Sequence, residues 1–118
     1  NIVLDSNGGP NHVGNFCGAP IMIDTETGDV YYTPIYYVLS QFSQTIRPGD
    51  TAIQVDQQLD GLDKDALHTS AAINADQLMS VQLLNTTKMP ITYSLQIGSQ
   101  FAEVTIAANA VQTVQVQL

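Results

Sequence analysis

Ile91-Thr92-Tyr93-Ser94-Leu95-Gln96-Ile97 alternates apolar and polar side chains without a break. Successive side chains of an extended chain point to opposite faces, so this stretch predicts a strand with one apolar face. The same period runs outward in both directions. Downstream, Ala102, Val104 and Ile106 alternate with Glu103 and Thr105, and Val114, Val116 and Leu118 alternate with Gln115 and Gln117. Upstream, Met79, Val81 and Leu83 alternate with Ser80 and Gln82; Leu67, Thr69, Ala71 and Ile73 with His68, Ser70 and Ala72; Ile53 and Val55 with Gln54 and Asp56. Turn signals separate the runs at Asp60-Gly61, Asn74-Ala75-Asp76, Asn85 to Pro90, Gly98-Ser99 and Ala108-Asn109. Short strands at this spacing predict a mainly β fold, an antiparallel β-sandwich over about residues 51–118.

Before residue 50 the texture is different. Ile2-Val3-Leu4 is a short apolar run of the kind found in a buried parallel sheet. The loop Asp5–Pro20 that follows carries four of the eight glycines, two prolines, three asparagines, His12 and Cys17. Such a loop offers backbone and amide hydrogen bonds to a ligand with few bulky side chains in the way. Ile21-Met22-Ile23 and Val30-Tyr31-Tyr32 flank Asp24–Asp29, a hairpin turn with Gly28 expected at positive φ. Thr33-Pro34 reads as a helix start, with a hydroxyl cap and then proline in the first turn. Ile35, Val38, Leu39, Phe42 and Ile46 form one stripe of a helix over 34–46, which Arg47-Pro48-Gly49 ends. A lone strand-loop-helix unit cannot fold by itself, because a parallel strand needs neighbours. Residues 1–49 therefore read as the end of a larger α/β body.

Composition narrows the function classes. The 118 residues suit one domain, or one domain with a piece of another, and 44% apolar residues supply a core. Net charge is -8, yet only 12% of residues are charged and three are basic: Arg47, Lys64 and Lys88. Three cations cannot make a phosphate-binding stripe, which argues against nucleic acid and anionic membrane surfaces as partners. No apolar run is long enough for a membrane span. The start at Asn1, already strand-like and without a basic and apolar leader, suggests a processed product or an excised fragment. A single cysteine excludes an internal disulfide.

Residue by residue, the first half resembles the C-terminal end of the family 30 glycoside hydrolases, in the glucosylceramidase and β-1,6-glucanase branch. The likeness is carried by Leu4-Asp5, Gly8-Gly9-Pro10-Asn11, Asn15-Phe16, Ala19 to Asp24, Tyr32 to Tyr37, Gln41-Phe42-Ser43 and Ile46 to Gly49. It continues more loosely through Met79–Thr87 and Val104–Thr113. The resemblance implies a (β/α)8 barrel with an attached β-sandwich. Ile2–Leu4 is then the eighth barrel strand, Asp5–Pro20 its loop on the active-site face, 34–46 the last helix and 51–118 the sandwich. It also implies a retaining mechanism with an acid/base Glu and a nucleophile Glu roughly 5 to 5.5 Å apart. By the same resemblance, both are expected after barrel strands upstream of residue 1. The two glutamates present, Glu26 in a turn and Glu103 on a strand, match no catalytic motif, so this segment alone is expected to be inert.

By resemblance, Asn11, His12, Asn15 and Phe16 are rim residues of the substrate cleft; the plainer reading is loop packing. The family often has Trp where His12 stands, which leaves the aglycone preference open. His12 has no second ligand at zinc spacing, and no catalytic residue, cofactor or metal is assigned. Cys17 needs a nearby base to act as a nucleophile and otherwise is a small loop residue. His68 reads as a solvated strand residue, and Asn85-Thr86-Thr87 fits a glycosylation sequon. Tyr31, Tyr32, Tyr36 and Tyr37 could stack on a sugar or pack a helix on a sheet. The implied partners are the barrel of the same parent enzyme, which resemblance places outside the cytoplasm, and a carbohydrate or glycolipid substrate. Self-association through the helix stripe is expected if the chain is isolated. In the family an N-terminal strand joins the sandwich, and without it an open edge is expected. A stand-alone carbohydrate-binding module is the rival; the absence of Trp, with only Tyr93 and Phe101 in the sandwich half, counts against it.

Overall fold

The computed structural model describes residues 1–118, in two compact units, Asn1–Gln44 and Thr45–Leu118. The first holds a three-stranded sheet in the order β1-β2-β3, with β1 at Val3–Asp5, β2 at Ile21–Ile23 and β3 at Val30–Tyr32. The expected hairpin forms: β2 and β3 pair antiparallel and Gly28 takes φ +79°. Asp24 closes the turn, its Oδ1 accepting from the amides of Glu26 (2.9 Å) and Thr27 (3.2 Å). Pairing of β1 with β2 in parallel, Val3 opposite Ile21, was not evident from the chain. It explains the length of the loop. A parallel partner requires the chain to travel back to its starting end, and residues 6–20 make that return without a helix.

Helix α1 spans Pro34–Thr45, one residue short of the expected end at Ile46. Pro34 opens it, but Thr33 does not cap it with its hydroxyl. That hydroxyl donates to the carbonyls of Ala19 (3.0 Å) and Pro20 (3.1 Å), tying the helix start to the end of the loop. No residue of α1 is buried; Ile35, Val38, Leu39 and Phe42 all stay exposed.

The second unit is the mainly β part. Strands β4 (Thr51–Ile53), β5 (Leu67–Ile73), β6 (Leu78–Asn85) and β9 (Ala110–Gln117) form one antiparallel sheet in the order β4-β5-β6-β9. Strands β7 (Ile91–Ile97) and β8 (Gln100–Ile106) form a two-stranded sheet. Their hairpin has two loop residues, Gly98-Ser99, with Gly98 at φ +61°, the geometry that matches strand twist. The β4 run is shorter than its alternation suggests: Val55 lies outside any strand, in the stretch that leads to β5.

The core is built from the predicted apolar faces. Leu67, Ala71, Val81 and Leu83 of the larger sheet meet Ile91 and Ile106 of the smaller. Ile106 is 1% exposed, and burying such a side chain stabilises the fold by about 1.5–3 kcal/mol. The packing is not closed everywhere. A cleft of about 790 Å³ opens on the inner faces, lined among others by Leu59, Met79, Tyr93, Leu95 and Ile97. With only β7 and β8 in the second sheet, both of its outer edges lack a strand. The Tyr93 hydroxyl donates to Gln112 Oε1 at 2.9 Å, and burial pushes the phenol above its ordinary pKa.

The polar face of β6 departs from expectation. Ser80 and Gln82 are buried, not solvated. Ser80 Oγ donates to the Thr45 carbonyl (3.0 Å) and accepts from Gln115 Nε2 (3.1 Å). Gln82 Nε2 donates to Thr45 Oγ1 at 2.9 Å, while its Oε1 is buried without a partner, a defect that costs about 1–3 kcal/mol. Asn85, the first residue of the Asn-Thr-Thr sequon, is buried as well. It is 0% exposed, and its side chain joins the two crossovers that link the sheets. Its amide donates to the carbonyls of Met89 (2.8 Å) and Ala107 (2.9 Å), and its oxygen accepts from the Thr87 amide (2.9 Å) and hydroxyl (2.8 Å). An amide so engaged offers nothing to a glycosyl donor. His68 is exposed, as expected.

Candidate functional site

The loop after β1 is a closed ring. Gly9 and Cys17 form an isolated antiparallel bridge, which brings its two limbs together. Between them Asn11–Val13 make a single 3-10 turn, ended by Gly14 in the left-handed region. The Gly9-Pro10 peptide is cis.

The paired glycines are needed for space. Gly8 takes φ +76°, and a Cβ there would stand 2.5 Å from Phe16 Cδ2. A Cβ on Gly9 would stand 2.7 Å from Leu4 Cδ2. Side chains at these positions would push the phenyl ring off the loop and the loop off its strand. Phe16 thus lies across the backbone of Gly8 with 70% of its surface still exposed. Phe16, Asn11, His12 and Asn15 are all exposed on this one loop.

Polar contacts organise the same ring. Asp5, at the end of β1, accepts from the Asn7 amide through Oδ1 (3.0 Å) and from Asn11 Nδ2 through Oδ2 (2.6 Å). Its carbonyl accepts from the Gly8 amide at 3.0 Å, and the Ser6 amide reaches the Ile23 carbonyl at 2.9 Å. Asn15 Nδ2 donates to Cys17 Sγ at 3.2 Å. The thiol therefore meets an amide, not a base that could activate it. The grip of Asp5 on Asn11 is not legible in the sequence, since an Asp six residues before an Asn carries no recognisable spacing.

The chemistry available here is hydrogen bonding and apolar contact. Asp24 is committed to its own turn, Glu26 sits at the tip of that turn, and Glu103 lies on β8 opposite Ser94. No group of three His, Cys, Asp or Glu side chains is arranged to hold a metal. The tyrosines do not make a flat platform: Tyr32 and Tyr36 are tilted by 54° at 4.6 Å, and Tyr36 and Tyr37 meet edge to face at 5.4 Å.

Comparison with known proteins bears on both units. Residues 1–46 match the glycosyl hydrolase family 30 TIM-barrel domain and residues 51–114 the family 30 β-sandwich domain. Among curated relatives, putative glucosylceramidase 2 of Caenorhabditis elegans is 35% identical over 98 residues, 82% of this chain and 18% of the relative. Lysosomal acid glucosylceramidase of Mus musculus is 32% identical over 96 residues, 80% of this chain and 18% of the relative. The chain thus spans less than a fifth of the length of either. Among solved structures, SrfJ from Salmonella typhimurium superposes with a TM-score of 0.85 at 23% identity, over 99% of this chain and 25% of that one. The endo-β1,6-glucanase BT3312 gives 0.85 at 20% identity, over 100% and 26%. At these identities the likeness speaks for the fold. Since the sandwich match alone covers more than half of the residues and the barrel match adjoins it, this chain belongs to glycosyl hydrolase family 30, with the family's β-sandwich domain preceded by a short barrel remnant.

Proposed function

We propose that this chain is the C-terminal, non-catalytic portion of a retaining β-glycoside hydrolase of the glucosylceramidase type. Residues 1–49 are the last βα unit of its barrel and supply one wall of the substrate cleft. Residues 51–118 are the sandwich, which covers apolar surface on the barrel and holds its last helix. The partners are that barrel and a β-linked carbohydrate or glycolipid substrate.

The observation that carries this reading is the loop itself. Asn11, His12, Asn15 and Phe16 are exposed together on the loop that follows a strand aligned parallel to its neighbour, where barrel enzymes build their sites. The loop brings binding groups and no second carboxylate, so it can grip a sugar but cannot supply both halves of a double displacement. The relatives are named glucosylceramidases, which favours a β-glucoside as the substrate.

In the full-length enzyme, Phe16→Ala and Asn15→Ala are expected to raise KM for an aryl β-glucoside about tenfold while leaving thermal unfolding unchanged, since each removes one surface contact. Unaltered kinetics in both variants would remove the loop from the cleft.

A further inference from the structure

We propose that Asp5 is a positioning residue for substrate binding: it locks the Asn11 side-chain amide with its oxygen outward, so that this part of the rim accepts hydrogen bonds from substrate hydroxyls. The inference rests on the reading of the loop as a cleft wall.

The argument is one of donor and acceptor inventory. An ionised carboxylate only accepts, so the Asn11 group 2.6 Å from Asp5 Oδ2 must be the NH2. The distance is short for an N–H donor, and bonds to an ionised acceptor are about twice as strong as neutral ones. Asp5 is itself held. Its other oxygen takes the Asn7 amide, its carbonyl takes the Gly8 amide, and its backbone is part of β1. The carboxylate is therefore a fixed point on the sheet, and the Asn11 oxygen is turned away from it.

Asn15 provides the contrast. Its NH2 faces Cys17 Sγ at 3.2 Å, and a thiol can donate as well as accept. Asn15 can turn over and serve either a donor or an acceptor on the ligand. Asn11 cannot. A one-way acceptor backed by a negative charge suits neutral sugars, whose hydroxyls donate, and opposes a uronic acid carboxylate, which only accepts.

The test uses the full-length enzyme with an aryl β-glucoside and the matching aryl β-glucuronide. Asp5→Asn places an amide beside an amide and frees Asn11 to turn over. The expected result is a rise of about tenfold in glucoside KM with little change in kcat, and a narrowing of the preference for glucoside over glucuronide. The exchange D5N/N11D puts the donor at position 5 and an acceptor-only group at position 11. It is expected to recover glucoside KM to within about threefold, which a residue that merely supported the fold would not allow. Asn11→Ala separates the two readings. If Asn11→Ala leaves the kinetics unaltered, this proposal fails, and the cleft-wall reading falls with it only if Phe16→Ala and Asn15→Ala are unaltered as well. If Asn11→Ala raises KM while Asp5→Asn does not, the proposal alone fails. Should Asp5→Asn not fold, the exchange variant decides: recovered glucoside KM supports the locked amide, and a folded exchange variant with weakened binding overturns it.

Discussion

Asn85→Ala removes a side chain that holds two inter-sheet crossovers to each other. Four hydrogen bonds disappear, but their loss is uneven. The Met89 carbonyl keeps a bond from the Thr87 hydroxyl at 2.9 Å, and that hydroxyl loses only one of its partners. The Ala107 carbonyl and the Thr87 amide lose the bonds they make to this side chain in a place where Asn85 is fully buried. Two orphaned backbone groups at about 1–3 kcal/mol each put the destabilisation at about 2–6 kcal/mol. Asn85→Asp is expected to cost more, because it keeps the acceptor, loses both donors and points a charge at two carbonyls. Urea unfolding of the wild type and both variants measures this as a fall in midpoint at constant slope. A change below about 0.5 kcal/mol for alanine, the size of an ordinary surface substitution, would mean that these bonds do not hold the crossovers, as would aspartate being the milder of the two. The same burial predicts that mass spectrometry finds no glycan on Asn85 after secretion from a eukaryotic host.

Further outcomes follow from other parts of the molecule. Gly8→Ala meets both a left-handed backbone and the Phe16 ring, and is expected to cost about 1–2 kcal/mol and to raise Phe16 mobility, seen as line broadening of its ring signals. Burial keeps the Tyr93 phenol protonated in the folded chain when the unfolded chain has lost the proton. Its contribution is complete below the unfolded value of about 10 and is lost as pH rises from there through the raised folded value. Unfolding free energy should therefore fall more steeply for wild type than for Tyr93→Phe between about pH 9 and pH 11, and parallel curves would count against the burial. With Ile35, Val38, Leu39 and Phe42 exposed on α1, light scattering of the isolated chain should show mass rising above 12.7 kDa with concentration, an increase that Leu39→Gln with Phe42→Gln abolishes.

The period-two runs made strands β5 to β9 legible, because each has one face that must leave water, and a one-residue slip would turn that face outward. The alternation also misled. Val55 continues the pattern of Ile53, yet β4 ends at Ile53, since pairing with β5 stops where Ala71 meets it. Ser80 and Gln82 look like solvent-facing residues, but small or bondable polar groups can be buried when partners such as Thr45 and Gln115 are supplied from elsewhere in the chain. Asn85 shows the same limit from the other side: a local tripeptide cannot report that Met89 and Ala107 will occupy its amide. In the loop, Asn11, His12, Asn15 and Phe16 were singled out by resemblance, and their shared exposure follows from lying close in sequence on a Gly-rich frame. The bond from Asn11 to Asp5 was hidden, since it depends on the ring closing between Gly9 and Cys17. Parallel pairing of β1 with β2 was hidden for a related reason: register across a long loop is set by tertiary closure, not by either strand.

In the proposed role this segment shapes a sugar site without performing the chemistry there. The most direct measurement is hydrolysis of an aryl β-glucoside by the purified 118-residue chain, alone and with Glu26→Gln and Glu103→Gln. Release of the aryl group is expected at the uncatalysed rate in all three samples. Turnover by the chain that either glutamine substitution abolishes would place a catalytic carboxylate inside it and overturn its non-catalytic role.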